Sequence, residues 1–188
     1  MNIALRKPMT AAEFLAWEER QDRRWEFDGI QPVAMVGGTA AHSAITGNLL
    51  TALNIRLRGK PCRPHGPDMK VEAGGRYRYP DAFVTCTPMP PDATVAASPV
   101  VIFEVMSKGT QQSDRTTKLL DYQSLPSVRR YVLVEQDQAL ITVIARTEGA
   151  WSIELLTAPD VLNMPEIGVG LPVADLYADV AFPEEPAA

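Results

Sequence analysis

Ile45, Leu49, Leu53 and Leu57 recur every four residues and draw one apolar stripe. That spacing predicts an amphipathic helix, opened by Thr39 or Ser43. Upstream, Thr10 and Glu13 form a capping box ahead of Phe14, Leu15 and Trp17, which predicts a first helix over about residues 10–21. "RRWEFDGIQPVAMVGG" reads as a hairpin with a two-residue turn at Asp28-Gly29. "PCRPHGPD" is expected to interrupt regular structure. Strands are predicted at about 68–73 and 77–86, split by Gly74-Gly75, and the proline-rich run "TPMPPDATVAASP" is a loop. A strand over 100–106 precedes a helix over about 113–125. "RRYVLVEQ", "ALITVIAR" and "WSIELLT" make a meander, and the tail carries a short strand and a helical turn. This order predicts one α/β or α+β domain over residues 1–188, with a single central sheet.

One residue disturbs the pattern. Glu104 lies in the middle of the apolar strand "VVIFEVM". Burying a lone carboxylate costs several kcal/mol or more, roughly, unless it is paired or binds a metal. Alternation puts Glu104 on one face with Ile102 and Met106 and turns Phe103 and Val105 to the other. Asp81 follows Pro80 at the head of the preceding apolar strand, where proline loosens strand pairing. Two carboxylates on neighbouring strands repel unless a divalent cation sits between them, and hard oxygen ligands suit Mg²⁺ or Mn²⁺. The alternative is a turn-capping Asp81 and a Glu104 paired with a core Arg or Lys. In the next helix Asp114, Lys118 and Tyr122 fall at i, i+4 and i+8 on one face. Lys118 would reach the carboxylates from there, or would form an exposed pair with Asp114.

Composition changes this picture little. The chain has 188 residues, 46% of them hydrophobic and 22% charged, as in an ordinary globular protein. No apolar run is long enough for a membrane span, and no secretory signal opens the chain. Cys62 and Cys86 form no CxxC pair, and the chain has two His, so no zinc cluster is suggested and a reduced, cytoplasmic home is expected. The net charge of −5 argues against a surface that binds nucleic acid throughout. Residues 54–78 nonetheless hold seven basic residues (Arg56, Arg58, Lys60, Arg63, Lys70, Arg76, Arg78) against Asp68 and Glu72. That stretch is either a solvated charged face or a surface for a polyanion.

The ordered set "YPDAFV" then "VVIFEVMSKGTQQSDRTTKLLDY" resembles the Uma-type restriction endonucleases, a branch of the PD-(D/E)XK nuclease superfamily. The resemblance begins at "MTAAEFLAWEE", passes through "RWEFDGIQPVAM" and "AAHSAITGNLLTAL", and ends near "LPVADLY". It implies a restriction-endonuclease-like mixed central sheet flanked by helices, with a Mg²⁺ site on adjacent strands. It implies Asp81 and Glu104 as the acidic metal ligands. The superfamily usually has Lys two residues after the second acid. Here Met106 stands there, and Lys118 matches the helix Lys of this branch. Lys108 is the rival. Glu26 matches the acid of the hairpin region and would extend the metal site; as an ordinary strand residue it would only alternate with Trp25 and Phe27. His42 matches a histidine at the start of the second helix and would touch substrate or Glu26, or be a polar helix-end residue. Tyr122 would pack with its hydroxyl toward the site.

The expected function is Mg²⁺- or Mn²⁺-dependent phosphodiester hydrolysis by a DNA endonuclease that acts as a homodimer, with no membrane association. Two rivals make different demands. A regulatory module would keep the fold without turnover, in line with Met106 and the acidic charge. A glycosidase would need a sugar-binding aromatic cleft, but none of the three Trp is beside Asp81 or Glu104 in sequence.

Overall fold

Local capping sets the first element. The computed structural model describes residues 8–35, 37–106 and 112–182. In helix α1 (Ala11–Glu18), Thr10 Oγ1 accepts from Glu13 N–H, and the Glu13 carboxylate accepts from Thr10 N–H. The helix stops short of the expected end because Glu19–Arg24 offers no apolar residue to bury. Thr10→Ala therefore costs about 1 kcal/mol in urea denaturation; an unchanged midpoint would show that the cap contributes nothing.

Strands β1 (Trp25–Phe27) and β2 (Pro32–Ala34) pair antiparallel, with Phe27 opposite Pro32. The connection thus has four residues, not the expected two. Asp28 is the reason: its carboxylate accepts from Ile30 N–H at 2.8 Å and Gln31 N–H at 2.7 Å, an Asx-type closure. Helix α2 (Ala40–Leu57) opens at Thr39, which accepts from His42 N–H, and it buries the whole stripe Ile45, Leu49, Leu53 and Leu57.

Six strands follow: β3 (Arg63–His65), β4 (Lys70–Ala73), β5 (Arg76–Arg78), β6 (Ala82–Thr85), β7 (Val95–Ala96) and β8 (Pro99–Met106). Helix α3 (Gln112–Ser124) leads to β9 (Arg130–Glu135), β10 (Leu140–Arg146) and β11 (Trp151–Thr157). A hairpin of β12 (Val161–Met164) and β13 (Val169–Pro172) precedes the short helix α4 (Val173–Leu176).

The architecture is a mixed α+β fold. One sheet runs β11-β10-β9-β8-β6-β3, with β8 and β9 parallel across the α3 crossover and the other pairs antiparallel. A second sheet runs β2-β1-β5-β4-β7. The expectation of a single sheet is corrected here. So is the expected strand over 77–86, which breaks between β5 and β6 as the chain passes from one sheet to the other through Tyr79, Pro80 and Asp81. The "PCRPHGPD" segment contains β3, where Pro64 is tolerated because the strand is at a sheet edge.

Alternation along β8 divides the core. Val101, Phe103 and Val105 pack with α2 and the β12–β13–α4 unit. Ile102 and Met106 pack on the other side with Phe83, Tyr122 and Tyr131. Phe14, Phe27 and Tyr77 form a third, aromatic cluster under α1.

Cys62 and Cys86 continue the β3–β6 register beyond Arg63 and Thr85 and are joined in a disulfide. The expectation of reduced thiols does not hold in this structure, because the strand pairing that brings the two together was not foreseen. Among the described residues, no helix is long and apolar enough to cross a membrane.

Candidate active site

Antiparallel register builds the site. Ala82 opposes Phe103, so one step further Asp81 comes opposite Glu104. The side chains of both then project to the same face. Pro80 has ended β5, and Asp81 takes up the free ladder donor of β8: its Oδ2 accepts from Val105 N–H at 2.7 Å. Its Oδ1 lies 3.1 Å from His42 Nε2, presented by the first turn of α2. His42 thus meets Asp81, not Glu26.

Glu104 is buried, and α3 supplies its partners. Lys118 Nζ is 3.4 Å from both carboxylate oxygens, and the Tyr122 hydroxyl donates to Oε1 at 3.0 Å. The i, i+4 spacing puts the two groups on one helix face. Lys108 and the Asp114 side chain lie outside the described residues. Lys118 also sits 3.2 Å from Glu26 Oε1, so one ammonium bridges a carboxylate from each sheet.

Residues 11–174 match the model of the Uma2 family, described as "Putative restriction endonuclease". The chain belongs to this family. Two uncharacterized proteins of Synechocystis sp. (strain ATCC 27184 / PCC 6803 / Kazusa) are similar to it. One is 32% identical over 178 residues, covering 93% of this chain and 94% of the relative. The other is 29% identical over 141 residues, covering 72% and 80%. Among solved structures, the chain resembles a "putative nuclease belonging to DUF820" from Anabaena variabilis ATCC 29413. That match has a TM-score of 0.76 at 17% identity and covers 91% of this chain and 98% of the other, a likeness of fold.

In this Uma2 protein a buried network of arginines and acids, not legible in the sequence, lies behind the carboxylates. Phe27 opposes Tyr77, which brings Glu26 opposite Arg78. Arg78 is 2% exposed and spans two acids: its guanidinium lies 3.2 Å from Glu26 and donates to Asp121 Oδ2 at 2.9 and 3.1 Å. Arg76 donates to Asp121 Oδ1 at 2.5 Å. Asp121 is one turn beyond Lys118 on α3, so the two arginines of β5 pin the helix that presents the lysine. The available signal was parity: Arg76 and Arg78 share a strand face, and Asp121 follows Lys118 by three residues. Of the basic stretch 54–78, Lys70 and Arg78 turn inward, while Arg58, Lys60 and Arg63 stay at the surface. Lys70 pairs with buried Glu18 at 2.6 Å, while Arg56, Lys60 and Arg63 bond backbone carbonyls.

Electrostatics follow from burial. Desolvation pushes the Glu104 carboxyl up to about 7; Lys118 pulls it down, while Asp81 and Glu26 push it further up. The hydrogen bond to Asp81 raises the His42 pKa, with burial opposing and the charges of Asp81 and Glu104 assisting. Among the described residues, three acids here face one ammonium, one imidazole and the shared Arg78. Glu26 faces Arg78, Tyr79 N–H and Lys118. Among the described residues, no three His, Cys, Asp or Glu form a ready-made ligand set.

Proposed function

We propose that this protein is a divalent-metal-dependent DNA endonuclease whose site is Asp81, Glu104 and Lys118. The observation that carries the reading is the pairing of two carboxylates across adjacent strands with a helix lysine set on the buried one. The donor set fits Mg²⁺ or Mn²⁺: its atoms are hard carboxylate oxygens, and burial holds the Glu104 carboxyl above its ordinary value, a cost that a bound cation would relieve. Asp81 and Glu104 would hold the ion. When bound, the ion supplies an activated water and neutralises charge on the phosphate.

The chain's own groups do the rest. His42 and Val105 N–H fix the Asp81 carboxylate from two sides. Tyr122 fixes Glu104. Lys118 offers its protons to the oxygens of the phosphate, where charge grows as the water adds and the bond to the leaving oxygen breaks, while the water's own proton passes to solvent. Glu26 holds Lys118 in place from the second sheet and acts as a positioning residue. The proposed substrate is DNA and the proposed acting unit a pair of copies, one site for each strand.

A calorimetric Mn²⁺ titration of the folded wild type and of Asp81→Ala is the test. Binding that Asp81→Ala abolishes, with or without DNA, is expected. Lys118→Met should keep the ion but lower the hydrolysis rate by about 10²–10³-fold, the usual effect of removing one transition-state donor. A wild type that binds no Mn²⁺ even with DNA present overturns the reading in favour of a non-catalytic module.

A further inference from the structure

We infer that β11 is the pairing edge of this protein and that its occupant is the β11 of a second copy, aligned antiparallel about Ile153. This assigns a surface to the pairing proposed above. It does not depend on the hydrolytic chemistry, and its test reads mass and cross-linking, so the two readings fail separately.

The two edges of the six-stranded sheet differ. At one, β3 has three residues, contains Pro64 and is tied down by the Cys62–Cys86 bond. Short length and proline are standard guards against edge-to-edge pairing. At the other, β11 has seven residues, all in unbroken register with β10 from Leu140↔Thr157 to Arg146↔Trp151. It holds no proline and no lysine. Among the described residues, its only strand partner is β10.

The apolar face runs off this edge uncovered. Ile102, Tyr131, Ile144 and Ile153 oppose one another in a row across β8, β9, β10 and β11. The first three are at most 4% exposed, but Ile153 is 70% exposed. The parallel row Glu104, Leu133, Thr142 and Leu155 ends the same way, with Leu155 at 63%. A seven-residue strand with two such side chains and an open edge is a template for another strand.

The strand's own pattern selects a second copy. About Ile153, antiparallel self-pairing sets Ile153 against its counterpart, Trp151 against Leu155, and Ser152 against Glu154. Every apolar residue on the exposed face meets an apolar residue, and the one charge meets a hydroxyl. Shifting the centre to Glu154 would set two carboxylates face to face, which is destabilising. Shifting it to Leu155 would put Ile153 against Thr157 and leave Trp151 without a partner. A closed two-fold contact uses the same patch on both copies.

Sedimentation of the full chain from micromolar to submillimolar concentration is the first measurement. The wild type is expected to dimerise. Ile153→Lys is expected to sediment as a monomer that keeps a cooperative thermal melt, while Ile55→Lys, on the exposed side of α2, remains dimeric. Under mild oxidation Ile153→Cys should cross-link to its counterpart and Ser152→Cys should not, because the register sets residue 152 against 154. A monomeric wild type overturns the proposal and leaves the edge to some other occupant. A dimer that survives Ile153→Lys, or a Ser152→Cys that cross-links in preference to Ile153→Cys, also overturns it.

Discussion

Arg78→Met is expected to destabilise the fold by about 3–5 kcal/mol, the cost of removing one partner from a buried ion pair. Arg78 is the shared cation of Glu26 and Asp121, and all three are buried. The substitution leaves Glu26 with Lys118 and Tyr79 N–H and Asp121 with Arg76, so each acid keeps one cation and neither keeps the fork between them. At about 2–4 °C per kcal/mol for a domain of this size, the melting temperature should fall by roughly 6–20 °C. Arg78→Lys should recover only part of the loss, because an ammonium is a point charge that lacks the planar fork joining Glu26 to Asp121. A loss below about 1 kcal/mol for Arg78→Met would show that Arg76 and Lys118 suffice. The same substitution should loosen the seating of α3, since Asp121 is what β5 holds.

That network shows where the sequence stops being legible. Short-range signals were sound. The Thr10–Glu13 box, the α2 stripe and the β8 strand appear as the residues predict, because each depends on contacts within a few residues or on a simple period. The grouping of Asp81, Glu104 and Lys118 was also readable, since adjacent strands and one helix turn determine it. What depends on long-range pairing was not. Only the second sheet brings Glu26 opposite Arg78, and the single-sheet expectation had no place for that. The basic stretch 54–78 offered two readings, both with exposed cations; in the fold Lys70 and Arg78 face inward to acids contributed by α1, β1 and α3. The β3 strand was hidden by Pro64, and with it the approach of Cys62 to Cys86. Local composition carries no record of a partner that lies far along the chain.

Glu104→Gln should make the protein more stable and abolish the proposed hydrolysis. The Glu104 carboxyl titrates at about 7 in the fold, against an ordinary value of 4.5 that applies to the unfolded chain. Between those values the native state holds a proton that the unfolded state has released. Stability contributed by this group therefore falls as pH rises from about 4.5 to about 7 and stays low above that. The whole shift corresponds to a loss on the order of 3 kcal/mol. Glutamine keeps the shape and never ionises, so its advantage should be largest at alkaline pH and vanish in acid. His42, whose raised pKa lowers stability in the same direction as pH rises, is present in both proteins and largely cancels in the comparison. Urea denaturation of the two proteins across that range measures the difference. Equal stability at alkaline pH would mean that Lys118 and Tyr122 already compensate the buried charge. A divalent ion reverses the order: Mn²⁺ should stabilise the wild type, which offers it a charged Glu104, and leave Glu104→Gln nearly unmoved. The carboxylate that costs the free protein stability would then be the group that holds the proposed ion. This is the expected trade for a buried charge kept in place for chemistry.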